Sequence, residues 1–238
     1  MSKILVIPDV HLKPWMFEQA TDIMENTDVD NAVFLGDLVD DWHMQSNVEL
    51  YRETLDAAID FAVHYPHSLW CYGNHDLSYL WNQYDHPGYS FAAADLVCNK
   101  FEELRDVLTE PENLGIMHRV DRVLFSHAGL STEFVEAQLH QYMDDIDCMI
   151  DMINEYGYEE LWEDNSPIWA RPQDGTLAKG MFAPEFLQVV GHTPVEEILV
   201  QDKLITADTF STSSTGHYIG NREFIWVDTK EMTWSYFN

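Results

Sequence analysis

The stretch Leu69-Trp70-Cys71-Tyr72 stops at Gly73, and Asn74, His75 and Asp76 follow without a gap. An apolar run halted by glycine reads as a buried strand ending in a tight turn. The turn presents an amide oxygen and an imidazole at the strand's carboxyl end. The pattern recurs along the chain. Lys3 to Pro8 is apolar and β-branched and ends in Asp9-Val10-His11. Asn31 to Leu35 ends in Gly36-Asp37-Leu38-Val39-Asp40. Val120 to Phe125, read as a strand with Arg122 inside it, ends in Ser126-His127-Ala128-Gly129-Leu130. Phe186 to Val190 ends in Gly191-His192-Thr193-Pro194.

Helical patterns lie between these runs. One is expected around Met16 to Glu25. Tyr51, Leu55, Ala58, Ile59 and Ala62 share a second helical face, with Ser46 and Glu49 at capping-box spacing before it. The later half of Tyr79 to Pro111 is amphipathic. Alternation of strand and helix predicts parallel strands with crossover helices, and ligand sites beyond the strands' carboxyl ends. After His192 the period changes to two. Glu196 to Val200, Lys203 to Ala207 and Glu223 to Asp228 read as antiparallel strands, and Thr233 to Phe237 closes a hairpin over Thr229-Lys230. No repeat or linker interrupts the chain, so one domain over residues 1–238 is expected, with an acidic helical insertion at about 131–165. From Val123 to Ala170 there is no Lys or Arg against eleven Asp and Glu. Ser131 is placed to cap its first helix, and Ile146, Met149, Ile150 and Ile153 mark a helix with one apolar face.

Composition narrows the classes. With 238 residues, 46% of them apolar, the chain can bury a substantial core. No apolar run approaches the ~20 residues of a membrane span. Ile4 to Ile7 is too short for a signal-peptide core, so a cytoplasmic location is expected. Cys71, Cys98 and Cys148 are too far apart for a zinc knuckle or a disulfide framework. The net charge of −30 repels phosphate backbones and disfavours nucleic-acid binding.

Together the strand ends offer Asp9, His11, Asp37, Asp40, Asn74, His75, His127 and His192. Oxygen and imidazole donors without thiolate suit Mn²⁺, Fe, Ni²⁺ or Zn²⁺ and fit a two-metal site. Asp37, between the first and third clusters, can bridge cations about 3.5–4 Å apart, which bind phosphate and acidify water. His75, one residue beyond a ligand, can protonate a leaving oxygen, and Asp40 can orient it.

In their order and spacing, Asp9-x-His11, Gly36-Asp37-x-x-Asp40, Gly73-Asn74-His75-Asp76, His127-Ala128-Gly129-Leu130 and Gly191-His192-Thr193-Pro194 resemble the five motifs of calcineurin-like metallophosphoesterases. The resemblance spans Lys3 to about Asp208. It is nearest the branch of Ser/Thr protein phosphatases and symmetrical diadenosine tetraphosphate hydrolases. It implies an α/β fold, an αββα sandwich with a dimetal site at its edge. By position, Asp9, His11 and Asp37 would hold one metal. Asp37, Asn74, His127 and His192 would hold the other. His75 would be the general acid, supported by Asp40, and Arg171 in Trp169-Ala170-Arg171-Pro172 would bind the substrate phosphate. The metals implied are two divalent ions, Mn²⁺ first, with Fe, Zn²⁺, Ni²⁺ and Mg²⁺ as alternatives. Ala207-Asp208-Thr209 resembles the family's late Asp-Thr-Gly, with Phe210 in place of the glycine.

Other departures carry information. Pro8 and Leu12 replace the glycines that usually flank the first motif. Asp41-Trp42 stand where the family has Arg-Gly. Asp41 is therefore expected either near the phosphate oxygens, with Arg171 and Lys13 as the cations in reach, or turned into solvent with Trp42 packed elsewhere, leaving Arg171 or Arg222 to serve the site. Pro194 stands where many phosphodiesterase relatives carry a second histidine. The leading expectation is a phosphomonoesterase acting on phosphoserine or phosphothreonine in protein, or on a small phosphoester. A dinucleotide polyphosphate or other nucleotide hydrolase is the alternative. A non-catalytic partner-binding relative would need neither His75 nor the ligand set.

Overall fold

The computed structural model describes residues 3–175, 177 and 179–237, so Met1, Ser2, Thr176, Ala178 and Asn238 of the expected 1–238 span lie outside the described residues. Strand β1 (Lys3–Ile7) lies parallel to β2 (Asn31–Phe34), which is parallel to β3 (Leu69–Cys71), which is parallel to β4 (Leu114–Gly115). On its other edge β1 pairs antiparallel with β10 (Ile225–Asp228), and β11 (Thr233–Tyr236) closes the expected hairpin. The first sheet therefore runs β11-β10-β1-β2-β3-β4.

The second sheet contains β5 (Met117–Val120), β6 (Val123–Ser126), β7 (Leu187–Val190), β9 (Leu204–Thr206) and β8 (Leu199–Gln201), in that order. Here two expectations are corrected. Val120 to Phe125 is not one strand: Asp121, at φ 51°, and Arg122 form the turn of the β5–β6 hairpin. The polar Arg122 thus sits outside both strands. And β9, although antiparallel to β8, is parallel to β7.

Continuous apolar strands are explained by burial on both faces. Ile4, Val6, Val33 and Leu35 pack between the sheets with Val123, Phe125, Val189 and Ile205. Their neighbours Leu5, Ile7, Ala32 and Phe34 point into a helix-covered core. That layer holds α1 (Trp15–Asn26), α2 (Val48–His64) and α4 (Ala94–Val107). The cap of α2 is Asn47, whose side chain accepts from the Leu50 N–H, not Ser46 as the spacing suggested. The acidic stretch forms α5 (Thr132–Gln138), α6 (Ile146–Glu155) and α7 (Tyr158–Leu161). Ser131 caps α5 as expected, and Met149, Ile150 and Ile153 bury the apolar face of α6. Asn154 of α6 ties this segment to β5 through the Met117 N–H and carbonyl. The short α3 (Asn74–Leu80) starts directly after β3. Helices, two sheets and helices make the αββα sandwich. Among the described residues no helix is long and apolar enough to cross a membrane.

Candidate metal centre and cleft

The strand ends of both sheets converge. Asp9, Asp37 and Asn74 follow β1, β2 and β3, while His127 and His192 follow β6 and β7. They meet at a cleft of about 320 Å³ lined by His11, Asp37, Asp40, Asn74, His75, Arg171 and His192. Asp9 and His127 are buried beneath it.

Donor atoms crowd around His127 Nε2, which is 2.9 Å from Asn74 Oδ1, 3.0 Å from His192 Nδ1 and 3.3 Å from Asp37 Oδ2. His11 Nε2 lies 3.7 Å from Asp37 Oδ2 and 3.9 Å from Asp9 Oδ2. Asp37 belongs to both groups. The opposite ring nitrogens are already engaged. His127 Nδ1 lies 2.8 Å from the Leu35 carbonyl and His11 Nδ1 2.8 Å from that of Asp40, so each Nδ1–H donates and each Nε2 turns to the carboxylates. Asp9 accepts the His192 N–H at 3.0 Å. His192 Nε2 and Asp208 Oδ2, both buried, have no hydrogen-bond partner.

The backbone is shaped around these groups. A Cβ on Gly73 would fall on the Asp37 carboxylate, and one on Gly191 on that of Asp9. His11, Asp37, Asp40 and His192 have φ of 44°, 53°, 62° and 63°. Left-handed conformations disfavour non-glycine residues and gather at ligand clamps. Leu12, at φ 57°, takes the same conformation where relatives carry glycine.

Electrostatics match. Burial pushes the Asp37 carboxyl up, but His127, His75 and His11 outweigh it and hold Asp37 well below the usual range. Burial opposes charge on His127, yet Asp37 and Asp9 push it up to about 9. Burial, with Asp208 nearby, raises Asp9 well above the carboxylate norm. Such a nest of acids attracts positive charge, and its hard oxygen and imidazole donors fit a pair of divalent cations.

His75 sits beside this nest. Its N–H donates to Asp37 Oδ1 at 3.0 Å, and its Nδ1 lies 3.0 Å from Asp40 Oδ2. Burial lowers its pKa, but Asp37 and Asp40 reverse the effect and raise it. The other Asp40 oxygen accepts from Tyr51 Oη and Tyr79 Oη, both at 2.6 Å. Tyr51 was legible only as part of an apolar helical face and Tyr79 only as the start of a helical stretch, although a buried phenol hydroxyl requires a partner. Asp76, unassigned from sequence, accepts the N–H groups of Asp37, Leu38 and Gly73. His86 was missed altogether. Its Nε2 accepts from Asn74 Nδ2 at 2.8 Å, turning Asn74 Oδ1 toward His127. Its His86-Pro87-Gly88 context reads as a plain turn.

Arg171 reaches the cleft wall, its Nη1 donating to the His192 carbonyl and Thr193 Oγ1, both at 3.2 Å. Asp41 is corrected. Although it lines the cleft, its carboxylate takes Lys13 Nζ at 3.3 Å, Thr212 Oγ1 at 2.6 Å and the Trp42 N–H at 2.7 Å. Lys13 is 5% exposed and also donates to the His11 carbonyl at 3.0 Å. Lys13 therefore neutralises Asp41 and is no second phosphate cation.

Known structures share this architecture. A protein serine/threonine phosphatase from Saccharomyces cerevisiae, similar to human PP5, superposes with a TM-score of 0.54 at 17% identity, over 100% of this chain and 80% of that one. A hypothetical protein from Pyrococcus horikoshii OT3 gives 0.50 at 11% identity, over 100% and 88%. These likenesses concern the fold. Among curated protein sequences none matches significantly. The model of one family, calcineurin-like phosphoesterase, matches residues 2–224. The strand-end donors, the two-sheet sandwich and that match over nearly the whole chain agree: this chain belongs to the calcineurin-like phosphoesterases.

Proposed function

We propose that the protein hydrolyses a phosphomonoester with two divalent cations. The observation that carries this reading is the convergence of two donor groups on one carboxylate, Asp37. Asp9, His11 and Asp37 would hold one cation; Asp37, Asn74, His127 and His192 would hold the other. Such a pair, when bound, neutralises phosphate charge and lowers the pKa of water toward neutrality. The chain's residues do the rest. Arg171 binds phosphate oxygens from the cleft wall. His75, its Nδ1 held by Asp40, offers Nε2–H to the leaving oxygen. Asp40, fixed by Tyr51 and Tyr79, keeps that tautomer and favours the protonated ring. His86 fixes the Asn74 amide.

Pro194 lines the cleft without a donor where phosphodiesterase relatives carry a histidine, which favours monoesters. Mn²⁺ is the first cation to supply. The test is hydrolysis of p-nitrophenyl phosphate with Mn²⁺, Fe²⁺, Zn²⁺, Ni²⁺ and Mg²⁺ in parallel, alongside metal analysis. Asp37→Asn should lose cation occupancy and nearly all activity. An active Asp37→Asn protein holding two ions would refute the bridging role.

A further inference from the structure

The cleft has a second wall that the hydrolytic reading leaves unused. Beside the donor set stand Trp42, Pro87, Pro194 and Ile219, an apolar surface. Trp42 is 51% exposed, a large open ring on the cleft lining. Yet it is pinned. Its indole N–H donates to the Thr212 carbonyl at 2.8 Å, and its backbone N–H to Asp41. Asp41 is itself held by Thr212 and Lys13, and His43 Nε2 donates to the Ser214 carbonyl at 3.0 Å. Residues 41–43 are thus zipped to residues 212–214, and the ring is in place before any ligand arrives. A pre-positioned aromatic face loses little freedom on binding.

The charge of the cleft points the same way. Among the described residues Arg171 is the sole Lys or Arg lining it. Where relatives place a second phosphate-gripping arginine, this chain spends the position on the Asp41 clamp that holds Trp42. One arginine suits one phosphate, and among the described residues a polyphosphate chain would find no second Lys or Arg along the lining. The volume of about 320 Å³ lies at the small end of ligand pockets, enough for one phosphate and one ring system.

We propose that the substrate is a monophosphate ester whose leaving group carries a planar ring, a nucleobase or an aryl group, stacked on Trp42. This rests on the hydrolytic reading above. Stacking on an aromatic side chain favours the ringed ligand by about 5- to 150-fold.

Two pairs of esters test it, each matched in its leaving alkoxide: adenosine 5′-phosphate against ribose 5-phosphate, and benzyl phosphate against cyclohexylmethyl phosphate. The wild-type protein should prefer the ringed member of at least one pair by about fivefold or more in kcat/KM. Preference in the first pair alone assigns a nucleobase, in the second alone or in both an aryl surface at large. Trp42→Ala and Trp42→Leu should bring the ratio toward one, and Trp42→Phe should keep most of it. Ratios near one in the wild type, ratios unmoved in Trp42→Ala and Trp42→Leu, or faster turnover of a phosphoserine peptide than of any ringed ester, would overturn the proposal and leave the phosphoesterase reading intact. If no ester turns over with any cation, that reading falls on its own. Calorimetric binding of adenosine 5′-phosphate against ribose 5-phosphate then still decides the platform, and equal affinities would overturn it.

Discussion

Asp76→Ala should be among the most damaging single changes outside the donor set. Asp76 is 0% exposed and sits three residues after the Gly73 cap of α3. Its Oδ2 accepts the Asp37 N–H at 2.7 Å and the Gly73 N–H at 2.9 Å, and its Oδ1 accepts the Leu38 N–H at 2.9 Å. It thereby joins the turn after β2 to the turn after β3. Hydrogen bonds to a charged group contribute about 1.5–3 kcal/mol each, so three would sum to about 4.5–9 kcal/mol. That sum is too large. Burial, with Asp37 close by, pushes the Asp76 carboxyl up to about 7, so its charge is not freely tolerated. Discounted for desolvation, about 3–5 kcal/mol remains, the usual loss when one side of a buried charged network is removed. A domain holds only about 5–15 kcal/mol in total. Asp76→Asn keeps one acceptor oxygen and should lose about 1–3 kcal/mol. Urea unfolding followed by circular dichroism measures both, and Mn²⁺ calorimetry reads the site. Stability should fall in the order wild type, Asn, Ala, with cation affinity reduced in both variants. An Asp76→Ala protein within about 1 kcal/mol of wild type at an unchanged urea slope would show that these amides find other partners.

His75→Asn should lower kcat by roughly 10²–10⁴-fold on alkyl phosphates while both cations stay bound, and far less on p-nitrophenyl phosphate, whose leaving group hardly needs a proton. Equal losses on both would remove His75 as the acid. Arg171→Ala should raise KM by roughly 10- to 150-fold with a smaller change in kcat, because among the described residues no second Lys or Arg lines the cleft; steady-state kinetics decides. His118, buried with Nε2 2.9 Å from the Trp70 carbonyl, has its pKa lowered by burial. Its neutral form is the native one, so its contribution is intact above the unfolded pKa of about 6.5 and is lost as pH falls toward the folded value, by at most about 1.4 kcal/mol per pH unit. Urea midpoints of wild type and His118→Gln should therefore draw together between pH 7.5 and 5.5, and parallel midpoints would exclude this linkage.

What could be read in advance follows from where information is local. Each strand-end motif couples a donor to the glycine or turn that exposes it, so Asp9, Asp37, Asn74, His127 and His192 stand out residue by residue. The sandwich was implied by the family resemblance that their order and spacing carry. Contacts made across the chain leave no such mark. Tyr51 and Tyr79 look like any core aromatic until their hydroxyls meet at Asp40. Asp41 looks like a misplaced charge until Thr212, 171 residues away, is beside it. The Asp121-Arg122 turn was hidden because both flanking strands are short and Val120 and Val123 stand on either side of it, so the apolar run of β6 reads back across it. The parallel pairing of β9 with β7 depends on a crossover that a period of two does not specify.

The seam between the sheets also sets an order of assembly. The Asp9 carboxylate is completed by the His192 N–H, 183 residues further along. A growing chain therefore displays its oxygen donors, Asp9, Asp37 and Asn74, well before His127 and His192 exist. At about 5–20 residues per second the stretch from Asn74 to His192 takes on the order of 6 to 24 s. During it the first three strands can pair and pack on α1 and α2, but the pocket has no far side. The site proposed to hold the cations is then completed last in biogenesis, and a chain stopped short of residue 192 lacks the amide that meets Asp9.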